Sequence, residues 1–150
     1  MKKPGIITVL CICLLMAVSA SAQNYRMALG VRLSNSDPTI NNSITFKYFL
    51  THRTSFEALL SFGDPIAAGI LLEKHHYLGS TGLAWFIGGG AYLGFSGTRN
   101  VGGQGVIGLD YKVPTIPFNL SVDWKPELNF AKEFSFEPAA IGISARFTFN

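Results

Sequence analysis

The stretch "FNLSVDWKPEL" (118–128) decides how the rest of the chain is read. Phe118, Leu120, Val122, Trp124 and Leu128 alternate with Asn119, Ser121, Asp123, Lys125 and Glu127, and only Pro126 breaks the apolar series. A period of two is the mark of a β-strand whose successive side chains leave on opposite faces. One face is apolar and the other polar or charged. In a soluble sheet the apolar face would cover a core. In a membrane barrel it would meet lipid and the charges would turn inward.

The same alternation recurs along the chain. Leu29, Val31 and Leu33 oppose Ala28, Gly30 and Arg32, with Tyr25 and Met27 on the apolar side and Arg26 on the polar side. Ile44, Phe46 and Tyr48 oppose Ser43, Thr45 and Lys47, with Phe49 an exception. Phe56, Ala58 and Leu60 oppose Ser55, Glu57 and Ser61; Ile107, Leu109 and Tyr111 oppose Gly108, Asp110 and Lys112; Ile141, Ile143, Phe147 and Phe149 oppose Gly142, Ser144, Arg146 and Thr148. These segments predict eight strands, at 24–34, 42–50, 54–62, 67–78, 83–95, 103–113, 118–128 and 137–149. The connections "NSDPTIN", "THR", "GDPI", "GSTG", "SGTRNVGG", "PTIP" and "NFAKEFSF" are rich in turn residues. The fourth segment is irregular, because Lys74 and His76 share parity with Ile70 and Leu72. A bulge near Glu73 or an exit into a membrane interface would each produce that pattern.

The polar face carries Arg26, Arg32, Lys47, Lys112, Lys125 and Arg146 against Glu57, Glu73, Asp110, Asp123 and Glu127. Near-balanced charges among Gly, Ala, Ser and Thr suit the narrow lumen of an eight-stranded barrel. The bulky apolar face would overfill such a lumen and belongs outside. A soluble antiparallel sandwich would alternate too. Aromatic placement favours the membrane: Tyr25, Trp85, Tyr111, Phe118, Phe147 and Phe149 fall at the strand ends nearest the termini, and Phe62, Phe95 and Trp124 near the other ends. An even strand count places both termini on one side, and pairing the first strand with the last leaves no edge. On this reading "THR", "GSTG" and "PTIP" are periplasmic turns and the other connections short extracellular loops. The fold class is thus all-β, an eight-stranded antiparallel up-and-down transmembrane barrel.

The N-terminus reads as a separate unit. Lys2 and Lys3 precede the apolar run "GIITVLCICLLMAVSA", and Ala20-Ser21-Ala22 fits a small-x-small cleavage site. Residues 1–22 are expected to be a cleaved signal peptide and 23–150 the barrel, with Gln23 as the mature N-terminus. Bulky Leu10 and Ile12 before the two cysteines count against a lipoprotein signal. Cys11 and Cys13 would leave with the leader, so no disulfide is expected in the barrel. Of 12 basic and 9 acidic residues, Lys2 and Lys3 belong to the leader, and the remaining charge is near balance. No nucleic-acid partner is indicated.

The chain resembles the small eight-stranded outer-membrane barrels of the OmpA/OmpX type. The resemblance rests on "WFIGGGAYLGF" (85–95), "GQGVIGLDYKVPTIPFNLSVDWKPEL" (103–128) and "AAIGISARFTFN" (139–150). "RFTF" resembles the C-terminal signal read by the barrel assembly machinery, with Asn150 following Phe149. The resemblance implies a monomeric, porin-like protein of a Gram-negative outer membrane, with outer-membrane lipids and that machinery as partners. It implies no particular ligand.

Chemical sites are weakly indicated. His52 sits in a turn and His75-His76 in the irregular strand; Ser80 is near them in sequence, but no Ser–His–acid set shares a lipid-facing surface. Neighbouring His75 and His76 point to opposite faces, which argues against a shared metal. Gly88, Gly89 and Gly90 read as a bend or close-packed wall rather than a phosphate loop, since no helix follows. No catalytic, cofactor or metal residues are assigned and no cofactor is expected. A structural or surface barrel is the leading reading, with a narrow ion channel or a lipid-modifying enzyme as alternatives.

Overall fold

The computed structural model describes residues 25–35, 39–63, 66–79, 82–95, 101–130, 134–138 and 140–150. The expected leader and Gln23 lie outside them. The strands are β1 (Met27–Ser34), β2 (Ser43–Phe49), β3 (Thr54–Ser61), β4 (Ala67–Tyr77), β5 (Leu83–Gly94), β6 (Val101–Lys112), β7 (Phe118–Trp124), β8 (Glu127–Asn129), β9 (Ser135–Glu137) and β10 (Ile141–Phe149). They close as β5-β4-β3-β2-β1-β10-β7-β6, with β6 returning to β5. The result is the expected eight-stranded antiparallel barrel. The first strand closes on the last, from Met27↔Phe149 to Ser34↔Gly142.

Two of the ten segments extend others. β8 continues β7 in the same register on β6, because Ile107↔Trp124 and Gln104↔Glu127 lie on one ladder. Pro126 has no N–H to give the ladder, yet its carbonyl still accepts from Gly105 N at 3.0 Å. The expected strand 118–128 is therefore one course with a local interruption. β9 pairs with β8 as a hairpin above the ring and leads into β10.

The facing question is settled by burial. Leu120, Val122 and Trp124 are exposed, whereas Asn119, Ser121, Asp123, Lys125 and Glu127 are buried. The same inversion runs through Leu29, Val31, Ile70, Leu109 and Ile143 outside, and Arg32, Lys47, Glu57, Glu73 and Arg146 inside. The β4 ladder is unbroken from Ala67↔Gly94 to Tyr77↔Ala84, so no bulge lies at Glu73. Lys74 and His76 simply face outward near the end of the strand, with His76 stacked on Trp85 at 4.2 Å.

The short connections share the end that carries β1's start and β10's finish. In "THR", Thr51 Oγ1 accepts from Arg53 N at 3.3 Å and Thr54 N at 3.1 Å. In "GSTG", Gly79 and Gly82 take positive φ, 69° and 78°, which a side chain would resist. Gly88 and Gly90 point inward, and a Cβ on either would meet the backbone carbonyl of Leu72 or Ile70. They are the close-packed wall expected of "IGGGAYLG".

Several sequence expectations need correction. Tyr25 does not join the outer face: its ring packs on Phe49 at 5.2 Å and its hydroxyl donates to Asp110 Oδ2 at 3.3 Å. Arg26 is exposed rather than in the lumen. Both precede the first residue of β1, so the strand's alternation does not bind them. Trp85 and Trp124 do not mark opposite girdles either. Trp85 pairs with Leu109, which pairs with Val122, whereas Trp124 pairs with Ile107. Strand stagger places the end of β7 beside the middle of β6. Finally, the lumen is not uniformly polar. Leu59, Leu71, Phe86, Tyr92 and Val106 fill one side of it together with Ile40, which enters from the connection between β1 and β2.

Candidate functional site

The polar half of the lumen is the chemically distinctive region. β1, β2, β3, β7 and β10 each project small or charged residues inward, and register sets which of them meet. On β10, Gly142 pairs with Asp123 of β7. The Arg32 guanidinium lies over Gly142, where a Cβ would collide with it. Arg32 thereby reaches Asp123, with Nη2–Oδ1 at 2.7 Å and Nε 3.2 Å from both carboxylate oxygens. Such a forked pair fixes both side chains.

Glu57 is the centre of the second group. Its Oε1 accepts from Arg146 Nη2 at 2.5 Å and from the Thr45 hydroxyl, and its Oε2 lies 3.4 Å from Lys125 Nζ. Arg146 also donates to Thr45 Oγ1 at 3.1 Å, Asn119 Oδ1 at 3.1 Å and Ser121 Oγ at 2.8 Å. Lys125 bridges toward Asp123 Oδ2 at 3.9 Å, which joins the two groups.

Glu73 forms the third. Its Oε2 lies 2.8 Å from Lys47 Nζ, 3.2 Å from His75 Nε2 and 3.1 Å from Ser55 Oγ. Lys47 Nζ also sits 4.6 Å above the Phe86 ring, and His75 stacks on that ring at 5.2 Å. Nearer the far end, Glu127 Oε2 and Oε1 accept from the backbone N–H groups of Thr39 (2.9 Å) and Ile40 (3.0 Å). That contact draws the β1–β2 connection into the barrel and seats Ile40 there.

Two of the six cations expected in the lumen are elsewhere. Arg26 is exposed, and Lys112 Nζ turns to the carbonyls of Val113 (2.8 Å) and Ile116 (3.0 Å) at the short-turn end. Among the described residues the buried charges are Arg32, Lys47, Lys125 and Arg146 against Glu57, Glu73, Asp110, Asp123 and Glu127. Burying ions costs several kcal/mol each unless they are paired and hydrogen-bonded; the three groups set each buried cation against a carboxylate, while Arg32 Nη1, Lys47 Nζ and Glu73 Oε1 have no hydrogen-bond partner.

The histidines separate as their positions imply. His75 faces the lumen, His76 faces out, and His52 packs on Tyr77 at 5.2 Å in its turn. Ser80 lies outside the described residues. Sequence reading missed the contact of Ser55 Oγ with His75 Nε2 at 2.9 Å. Only the pairing of β3 with β4, which sets Ser55 opposite Glu73, reveals it. It is not a nucleophile–base–acid relay. The serine and the carboxylate both approach Nε2, whereas a relay needs the acid on Nδ1. Ser55 and His75 are also fully buried, away from any lipid substrate.

The closed eight-stranded antiparallel ring is the fold of an OmpA-type barrel. The particular likeness is to the N-terminal β-barrel domain of Pseudomonas aeruginosa OprF, at a TM-score of 0.58 and 13% identity, covering 85% of this chain and 98% of that one. At that identity the likeness establishes the fold. No protein-family profile matches the chain. No curated protein matches it either.

Proposed function

We propose that this chain is an integral protein of a Gram-negative outer membrane, a monomer with a structural or surface role and a closed lumen. The observation that carries the proposal is the inversion of the wall. Exposed Leu, Ile and Val cover the outside, while Arg32, Lys47, Glu57 and Arg146 are buried inside. Water would reverse that arrangement; lipid demands it. The likeness to the OprF barrel domain supports the same setting, and a fold shared with a structural barrel weighs against an enzyme.

Export and insertion are part of the proposal. The leader 1–22 is removed, the barrel assembly machinery inserts the remainder, and outer-membrane lipids surround it. Mass spectrometry of the membrane-inserted protein should find Gln23 at its N-terminus; a protein still carrying residues of the apolar run would refute processing at Ala22.

The lumen has little room for solute. Eight strands enclose a space just wide enough for side chains, and here Phe86, Tyr92 and Ile40 fill one half and the ion pairs the other. Purified protein in planar bilayers should therefore give no stable conductance steps. Regular openings whose ion selectivity changes on Asp123→Asn would replace the closed barrel with a narrow channel.

A further inference from the structure

The β8–β9 hairpin carries the barrel's facing rule beyond the closed ring. Its cross-strand pairs are Glu127↔Glu137, Leu128↔Phe136 and Asn129↔Ser135, so polar residues sit beside polar ones and apolar beside apolar. Glu127 is buried and bonds Thr39 and Ile40 within the barrel. The opposite face, with Leu128 and Phe136, therefore looks outward in the same sense as Trp124. Phe130 and Phe134 continue that face with their rings 6.1 Å apart. Phe130, Phe134 and Phe136 are 59%, 73% and 53% exposed. A hairpin standing in water gains nothing from turning its phenylalanines out and its carboxylates in.

Wall height points the same way. From Phe118 through Phe130 every outward position is apolar. At about 3.4 Å per residue and a strand tilt near ~40°, that run stands roughly 30 Å high, against an apolar band of about 25 Å in outer-membrane barrels. The run on β1, Met27 to Leu33, stands only roughly 15 Å by the same geometry. The tall side thus reaches past the middle of the band and into the headgroup level, where aromatic side chains settle.

We propose that the β8–β9 hairpin lies in the bilayer, its phenylalanines at the level where acyl chains meet the head groups, so that lipid covers this face. The proposal rests on the lipid-facing reading of the wall. Lipid suits the face better than a protein, because Leu128, Phe130, Phe134 and Phe136 offer no charge or hydrogen-bonding group to orient a partner. The outer-leaflet lipid, rather than the aqueous medium, is then what this end of the barrel presents itself to.

Single tryptophans test it, placed in the full chain with Trp85→Phe and Trp124→Phe. Phe136→Trp and Phe134→Trp report on the hairpin and Val122→Trp on the ring wall, each checked for heat-modifiable gel mobility as a sign of folding. In vesicles containing lipids brominated near the head group, both hairpin tryptophans should lose intensity and emit at blue-shifted wavelengths, with little quenching by aqueous iodide. Iodide quenching of both without lipid quenching, while Val122→Trp is still quenched by lipid, would overturn the proposal and leave the barrel reading intact. Protection from both quenchers would also overturn it, because a protein contact such as a second copy would then cover the face. Loss of lipid quenching at Val122→Trp as well would sink the lipid-facing reading itself.

Discussion

Glu57→Ala should cost the barrel about 3–5 kcal/mol of stability, the range for breaking a buried pair by removing one partner. The carboxylate answers two cations, Arg146 at 2.5 Å and Lys125 at 3.4 Å, and also accepts from Thr45. Without it Arg146 keeps only neutral acceptors, Thr45, Asn119 and Ser121. Lys125 is left with Asp123 at 3.9 Å, an oxygen group already forked by Arg32. The Arg146 guanidinium and the Lys125 ammonium then stand without their shared carboxylate among buried side chains. Glu57→Gln should cost less, since it retains a hydrogen-bond acceptor toward Arg146 while losing the charge. Urea unfolding in lipid vesicles measures both. If Glu57→Ala falls within about 0.5 kcal/mol of the unaltered protein, the level of an ordinary surface substitution, the lumen network is not holding the barrel together.

The architecture was legible in the sequence because a barrel wall imposes a period of two on every strand. Strand positions, first-to-last closure and the inward face of "FNLSVDWKPEL" all followed from parity and turn chemistry. Parity fails where a residue is not in a strand. Tyr25 and Arg26 lie before β1, and the ring of Tyr25 swings over the lumen mouth onto Phe49. Ile40 comes from a connection and fills the apolar half of the lumen, so neither it nor its bond to Glu127 was visible in a strand pattern. The pairing within the network was hidden for a different reason. Arg32 meets Asp123 across an intervening strand, and that reach exists only because Gly142 vacates the space between them. Register in the closed ring, not sequence spacing, selects such partners. The same holds for the tryptophans, whose heights depend on how far each strand is slid against the next.

Leu120→Arg should cost up to about 2–4 kcal/mol in a bilayer, the upper end being the midplane value, because the new guanidinium enters hydrocarbon. Leu120 faces outward and pairs with Tyr111 on one side and Ala145 on the other. No charged residue pairs with it across either ladder. Ser121→Arg, one residue along, places the same charge inside and acts by another route. Ser121 Oγ accepts from Arg146 Nη1 at 2.8 Å. The substitution removes that acceptor, adds a like charge beside Arg146 and crowds a lumen that eight strands leave just wide enough for side chains. The two mechanisms respond differently to a second change. Moving Leu120→Arg into shorter-chain lipids brings the charge nearer the interface and should recover part of its loss, whereas Ser121→Arg should be indifferent to lipid thickness. Unfolding in two lipid thicknesses separates these outcomes. A lipid-thickness dependence at position 121 and none at 120 would mean that the charged face meets the membrane, and the inversion of the wall would be wrong.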